Sequence, residues 1–135
     1  MKHIIKFKLF ESDLLIDDLK FKIDNKKSIF KLLLNDNLIA KSYFSMENPD
    51  NLFNNKYVGI FKLETIKEFR VKGYMNILID HIFEYVLNNL NINYILLNVY
   101  KDNHAALNLY LKKGFEIYKD FNDDEYPYFT LIKRL

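Results

Sequence analysis

With 135 residues the chain has the length of one domain, spanning 1–135, and can bury roughly two thirds of its unfolded surface in a single core. Half of its residues are hydrophobic, and Phe and Tyr are abundant while Trp is absent, so a packed core is expected. A net charge of +2 is too slight to argue for nucleic acid as the main partner, and zero cysteines exclude disulfides, thiolate metal sites and a cysteine nucleophile.

The start, Met1 to Lys8, alternates charge with apolar groups and lacks a signal-peptide apolar core. No apolar run approaches the roughly 20 residues a membrane helix needs. A soluble, cytoplasmic protein without a membrane partner is expected. Ile4 to Phe10 alternates Ile5, Phe7 and Leu9 against Lys6 and Lys8 and predicts a strand, as does Leu19 to Ile23. Glu11 to Asp18 between them has room for one helical turn at most. Ile29 to Leu34 and Leu38 to Met46 predict a hairpin, closed by Asn35-Asp36-Asn37, residues that tolerate left-handed backbone. Asn48 to Lys56 reads as a polar loop and Tyr57 to Thr65 as another strand.

From Gly73 to Leu90 the apolar residues Leu78, Ile82, Tyr85 and Val86 recur at helical spacing, with Ile79, Phe83 and Leu90 alongside. Tyr94 to Tyr100 is apolar on both faces until Asn98, as a buried strand beside a parallel neighbour would be. Asp102-Asn103 can cap a short helix whose stripe is Ala106, Leu107, Tyr110 and Leu111, and Gly114 supplies its stop. Phe115–Phe121 and Tyr128–Leu135 predict two final strands. The fold class is therefore α/β (α+β): a mixed, mostly antiparallel twisted sheet with a central parallel strand pair, flanking helices and a short N-terminal half. In such sheets ligands favour the crevice at the carboxyl ends of the strands.

Arg70-Val71-Lys72-Gly73 sits where the strand ending at Thr65 feeds the long helix. A basic, glycine-containing turn there aims several backbone N–H groups at one spot, at the positive end of a helix dipole, which suits phosphate. Taken alone, the same residues read as a solvated strand-to-helix loop.

Arg70-Val71-Lys72-Gly73-Tyr74-Met75 resembles the acetyl-CoA motif of GNAT-family N-acetyltransferases, Arg/Gln-x-x-Gly-x-Gly/Ala. Val99 through Phe115 resembles the family's second signature, with Val99, Asn103, Ala106, Tyr110 and Gly114-Phe115 at its positions. Two departures stand out. Met75 replaces the last small residue of the first motif, adding bulk where a pyrophosphate approaches. The two helices usual between the first and second strands are replaced by a short interval carrying the Leu19–Ile23 strand, which implies an acceptor cleft that is open, suited to a large acceptor or completed by a second copy in a homodimer.

The resemblance implies direct transfer of acetyl from acetyl-CoA to an amine, leaving CoA as product. Backbone groups of Leu63 and Thr65 would hydrogen-bond the pantetheine, and N–H groups from Val71, Lys72, Gly73, Tyr74 and Met75 would hold the pyrophosphate, with charge from Arg70 and Lys72. Asn103 and Ala106 would line the pantetheine channel or orient the second helix. Tyr110 is the candidate acid for the leaving thiolate: a phenol of pKa about 10 donates at neutral pH without first ionising. Its place on the Ala106–Leu107 stripe by itself favours a core tyrosine, a reading that the match to Asn103, Ala106 and Gly114-Phe115 reverses. Glu64, and after it Glu68, are the candidate bases, though either also reads as a surface glutamate.

Asp120, Asp123, Asp124 and Glu125 crowd the last connection, either as a solvated turn or as an attractor for a cationic acceptor such as a lysine side chain, a polyamine or an amino sugar. His3, His81 and His104 lack metal-ligand spacing, so no metal is expected. Two rival readings remain: a non-catalytic GNAT-like module that binds a protein partner, and a nucleic-acid-directed protein using its Lys-rich strands.

Overall fold

The computed structural model describes residues 5–8, 18–47, 56–122 and 125–135. Residues 11–17, given room for one helical turn at most, and the polar loop over 48–55 lie outside them, as do Asp123 and Asp124 of the acidic run. Among the described residues there are eight strands and two α-helices, with five antiparallel ladders and one parallel ladder described between the strands. In order they are β1 (Ile5–Lys8), β2 (Asp18–Asp24), β3 (Ile29–Leu34), β4 (Asn37–Glu47), β5 (Tyr57–Thr65), α1 (Tyr74–Asn89), β6 (Tyr94–Tyr100), α2 (His104–Lys112), β7 (Glu116–Phe121) and β8 (Tyr128–Arg134). The chain divides into two compact units, residues 1–44 with 62–85 and residues 45–61 with 86–135.

The first unit carries the antiparallel run β1-β2-β3-β4. Strand β2 shows why alternation predicts a half-buried strand: Leu19, Phe21 and Ile23 are buried while Asp18, Lys20, Lys22 and Asp24 are not. The Asp24 carboxylate accepts the N–H groups of Lys26 (3.1 Å) and Lys27 (3.0 Å), which closes the β2–β3 turn. Asn35 (φ 49°) and Asp36 (φ 67°) are both left-handed, so β3 and β4 are joined by a two-residue hairpin whose twist matches the strands. Asn37, expected in that turn, instead pairs with Leu34. Phe21 and Phe30 stack at 5.9 Å, Phe30 stacks on Phe44 at 4.2 Å, and both Phe21 and Phe30 reach Tyr85 of α1. Leu78, Ile79 and Ile82 complete the buried stripe of that helix in this unit.

The second unit carries the order β5-β6-β8-β7. Its one parallel ladder joins Val58 to Ile95 and Gly59 to Leu96, the parallel pair expected of a strand–helix–strand crossover. Ile95, Leu96, Leu97 and Val99 are buried in β6, whereas Asn98 and Tyr100 are exposed. Tyr57, Leu96 and Ile132 form a packed cluster against which Tyr94 and Tyr118 lie. Left-handed Asn91 (φ 55°) turns the chain after α1, and the N–H of Ile92 returns to the Val86 carbonyl at 3.3 Å. No helix among the described residues is long and apolar enough to cross a membrane.

Candidate functional site

The first group of site residues lies in the first unit, on the end of β5 and the approach to α1. Lys62 breaks the pleat of β5 with φ 51°, after which Leu63 and Thr65 are half-buried and Glu64 is exposed. Thr65 leads into a 3-10 turn (Lys67–Phe69) that the sequence pattern did not reveal; it is tied down by Ile66 N–H to the Ile39 carbonyl (2.8 Å) and Phe69 N–H to the Ile66 carbonyl (2.8 Å). Glu68 sits on this turn, exposed. Arg70 donates from Nε to the Thr65 carbonyl at 3.0 Å, so its guanidinium braces the turn in addition to placing charge there.

Val71 and Gly73 are left-handed, at φ 64° and 81°, and Val71, Lys72 and Gly73 are all exposed. A β-branched residue at positive φ is a backbone outlier that needs a cause. Nothing lies within 4 Å of the position a Cβ would take on Gly73, so the glycine serves conformation and open approach rather than packing. Helix α1 begins one residue after the expected Gly73, at Tyr74, with no acid in its first turn. The free N–H groups of that first turn therefore have no carboxylate of the same turn beside them. The apolar side of the turn is built by Phe69 and Tyr74, edge to face at 6.2 Å, with the Lys72 ammonium 5.9 Å from the Phe69 ring. Met75 is half-buried.

The second group lies in the second unit, on α2. Asn103 is the N-cap and its Oδ1 accepts the N–H of Ala106 at 3.3 Å, which makes orienting the helix its visible role. At the other end Gly114 (φ 91°) donates to the Leu111 carbonyl at 3.1 Å and Phe115 to the Tyr110 carbonyl at 3.0 Å, the paired bonds of a Schellman stop. The same stop sets the Phe115 ring edge-on to Tyr110 at 5.9 Å. Tyr110 is 7% exposed, and burial pushes its phenol up to about 12. Ala106 and Leu107 are half-buried, but Leu111, expected on the packed stripe, is exposed because nine residues of helix bury only a narrow face here.

Two features were not legible in advance. The first corrects the acidic run: Asp120 forms an ion pair with Lys101, whose ammonium also bonds Asn122 Oδ1 at 2.5 Å and lies 4.8 Å from the Phe129 ring centroid. One of the four acids is therefore already answered. The second is an aromatic row across β6, β8 and β7, where Tyr100 faces Tyr128 and Tyr128 faces Phe121. Phe121 and Tyr128 stack at 4.8 Å, Tyr126 lies 5.8 Å from Tyr100, and Tyr100, Phe121 and Tyr126 are exposed. One step along, the Thr130 hydroxyl donates to Asn98 Oδ1 at 2.7 Å. The Asn98-Val99-Tyr100 alternation was its only sequence signal.

His81 is 4% exposed, stacked on Phe21 at 5.2 Å, beside a cavity of about 290 Å³ along Ile77, Asp80 and Glu84. His104 is exposed at the start of α2. Among the described residues no group of three side chains could hold a metal ion.

The model of the Acetyltransferase (GNAT) family matches residues 4–115. No curated protein matches significantly. Solved structures share the fold: Ard1 from Thermoplasma volcanium (18% identity, TM-score 0.67, 82% of this chain and 72% of that one) and a spermidine N-acetyltransferase SpeG chimera from Vibrio cholerae and hSSAT (20%, 0.69, 82% and 68%). A chain of the NatC complex bound to Gag peptide and CoA is similar at 24% identity, TM-score 0.64, over 87% of this chain and 70% of that one.

Proposed function

Because the chain belongs to the GNAT acetyltransferase family, we propose that it transfers an acetyl group from acetyl-CoA to an amine by direct attack in a ternary complex. The observation that carries the reading is the Arg70–Gly73 turn: two left-handed residues, full exposure and an acid-free helix start give it the form of an anion cradle. The N–H groups from Val71 to Met75 hold the pyrophosphate, and Lys72 and Arg70 add charge. The β5–β6 ladder covers only two residue pairs, and β5 then continues to Thr65. That continuing backbone, at Leu63 and Thr65, is assigned to the pantetheine, in the manner of an added strand.

Acetyl-CoA supplies a thioester-activated acetyl group; the chain supplies position and protons. As the N–C bond forms and the C–S bond breaks, Tyr110 donates a proton or hydrogen bond to the departing sulfur, a role for which its raised pKa keeps it protonated. Asn103 and Ala106 fix the helix that carries it. A lysine-like amine of pKa about 10.4 costs about 4–5 kcal/mol to neutralise at pH 7, and the Glu64 carboxylate, directly or through water, takes that proton. The row of Tyr100, Phe121 and Tyr126, exposed, with half-buried Tyr128 among them, supports a cationic acceptor, since ring faces attract ammonium groups.

Calorimetric titration with acetyl-CoA, run on the native chain and on an Arg70→Glu, Gly73→Asp variant, tests the assignment. Micromolar binding by the native chain, lost in the variant, is expected. A native chain that binds no CoA compound would replace this reading with the non-catalytic, partner-binding one.

A further inference from the structure

The slight net charge of the whole chain conceals a local excess on one face of the first unit. In β2 the residues Phe21 and Ile23 turn toward α1, where Phe21 meets His81 and Tyr85. Alternation then places Lys20 and Lys22 on the opposite face. Lys22 pairs directly across from Lys31, and Lys31 directly across from Lys41. Three lysines therefore stand in one row over three neighbouring strands, at steps of about 4.8 Å. Like charges directly opposite one another weaken a sheet, so the row is a cost to the fold on its own terms.

The nearby acids do not cancel it. Asp36 is engaged by Lys20 at 2.7 Å. Asp24 lies 3.7 Å from Lys31 but also holds the N–H groups of Lys26 and Lys27, and those bonds together with nearby lysine charge hold its carboxyl below the usual range. Among the described residues no carboxylate forms an ion pair with Lys22, Lys41 or Lys62. Lys41 and Lys62 instead flank the half-buried Tyr43, their ammonium groups 5.3 and 5.6 Å from its ring centroid.

We propose that this face binds single-stranded nucleic acid, with Lys22, Lys31 and Lys41 on successive phosphates and Tyr43 with Lys62 against an adjacent base. Charge complementarity identifies a polyanion, and one further observation selects this one. A lysine holds a phosphate as a point charge. An aromatic ring set among the lysines is the other element of a strand-tracking surface, because any base can stack on it. The inference is independent of acetyl transfer.

Fluorescence anisotropy with labelled oligouridylate and oligothymidylate of about 12 nucleotides, over about 25–200 mM KCl, tests it. Three phosphate contacts predict a slope of log affinity against log salt of about −2 for a single strand. The Lys22→Thr, Lys31→Thr, Lys41→Thr variant is expected to weaken binding at least tenfold and flatten that slope. It should melt no lower than the native chain, because the mutual repulsion is gone. A Lys26→Ala, Lys27→Ala variant, which removes equal-sign charge from the turn beside the row, should bind within twofold of native. Should the triple variant fail to fold, the native slope and a single Lys22→Gln variant, expected to lose about one third of that slope, decide the matter. Absence of oligonucleotide binding by the native chain, undiminished binding by the triple variant, or equal capture of polyglutamate would each overturn the proposal.

Discussion

The two motif segments hold their residues by opposite means. The Arg70–Gly73 turn is exposed, strained at Val71 and braced mainly by the Arg70 side chain on the Thr65 carbonyl. The Asn103–Phe115 segment is closed at both ends, by the Asn103 cap and the Gly114 stop, and it buries its tyrosine. Asn103, Gly114 and Phe115 thus have full structural explanations before any ligand is considered. Val71 and Gly73 have none, since neither packs against anything. Backbone that folding does not require is where a ligand explanation is most needed. Tyr110 lies between these cases, buried like a core residue yet carrying a hydroxyl that the proposed chemistry uses.

Removing that hydroxyl should separate the cases most sharply. Tyr110→Phe is expected to lower kcat by about a hundredfold or more if the phenol protonates the leaving sulfur, with KM for acetyl-CoA little changed. The same substitution carries a stability signature. Tyr110 titrates at about 12 in the folded chain and near 10 when unfolded, so the folded form favours the protonated phenol. Its contribution is fully present below pH 10 and is lost as the pH rises through about 12. Denaturant unfolding should show the native chain losing up to about 2–3 kcal/mol over that window, a loss that Tyr110→Phe removes. An unchanged kcat would make Tyr110 purely structural.

A smaller effect is expected at the helix stop. Gly114→Ala places a side chain at φ 91° and should cost about 1–2 kcal/mol, read as a lower urea midpoint at constant m-value. Activity should fall with it only as far as Tyr110 shifts. The smallest effect belongs to Val71→Gly. Relief of left-handed strain of about 1–2 kcal/mol, partly offset by glycine's unfolded-state entropy of about 0.5–1 kcal/mol, predicts a gain of up to about 1 kcal/mol. Acetyl-CoA affinity should fall a few-fold as the turn loosens. A variant that gained both stability and affinity would show that the strain serves nothing.

Local chemistry was legible wherever a short-range rule acts alone. Alternation marked β1 and β2, tolerance of left-handed backbone marked Asn35-Asp36, and capping preference marked Asn103 and Gly114, because each depends on neighbours a few residues away. The two motif segments were visible for the same reason: their spacing is a property of one strand, one turn and one helix. What stayed hidden was set by pairing between distant residues. Lys101 neutralises Asp120 across nineteen positions of sequence only because β6 and β7 flank β8. The Tyr100–Tyr128–Phe121 and Lys22–Lys31–Lys41 rows exist only because strand register sets those residues opposite one another. The sequence by itself determined which elements form and which residues carry the family's motifs. The tertiary structure decided which charges are answered and which rings and lysines share a surface, because register is fixed by burying whole faces and no single segment encodes it.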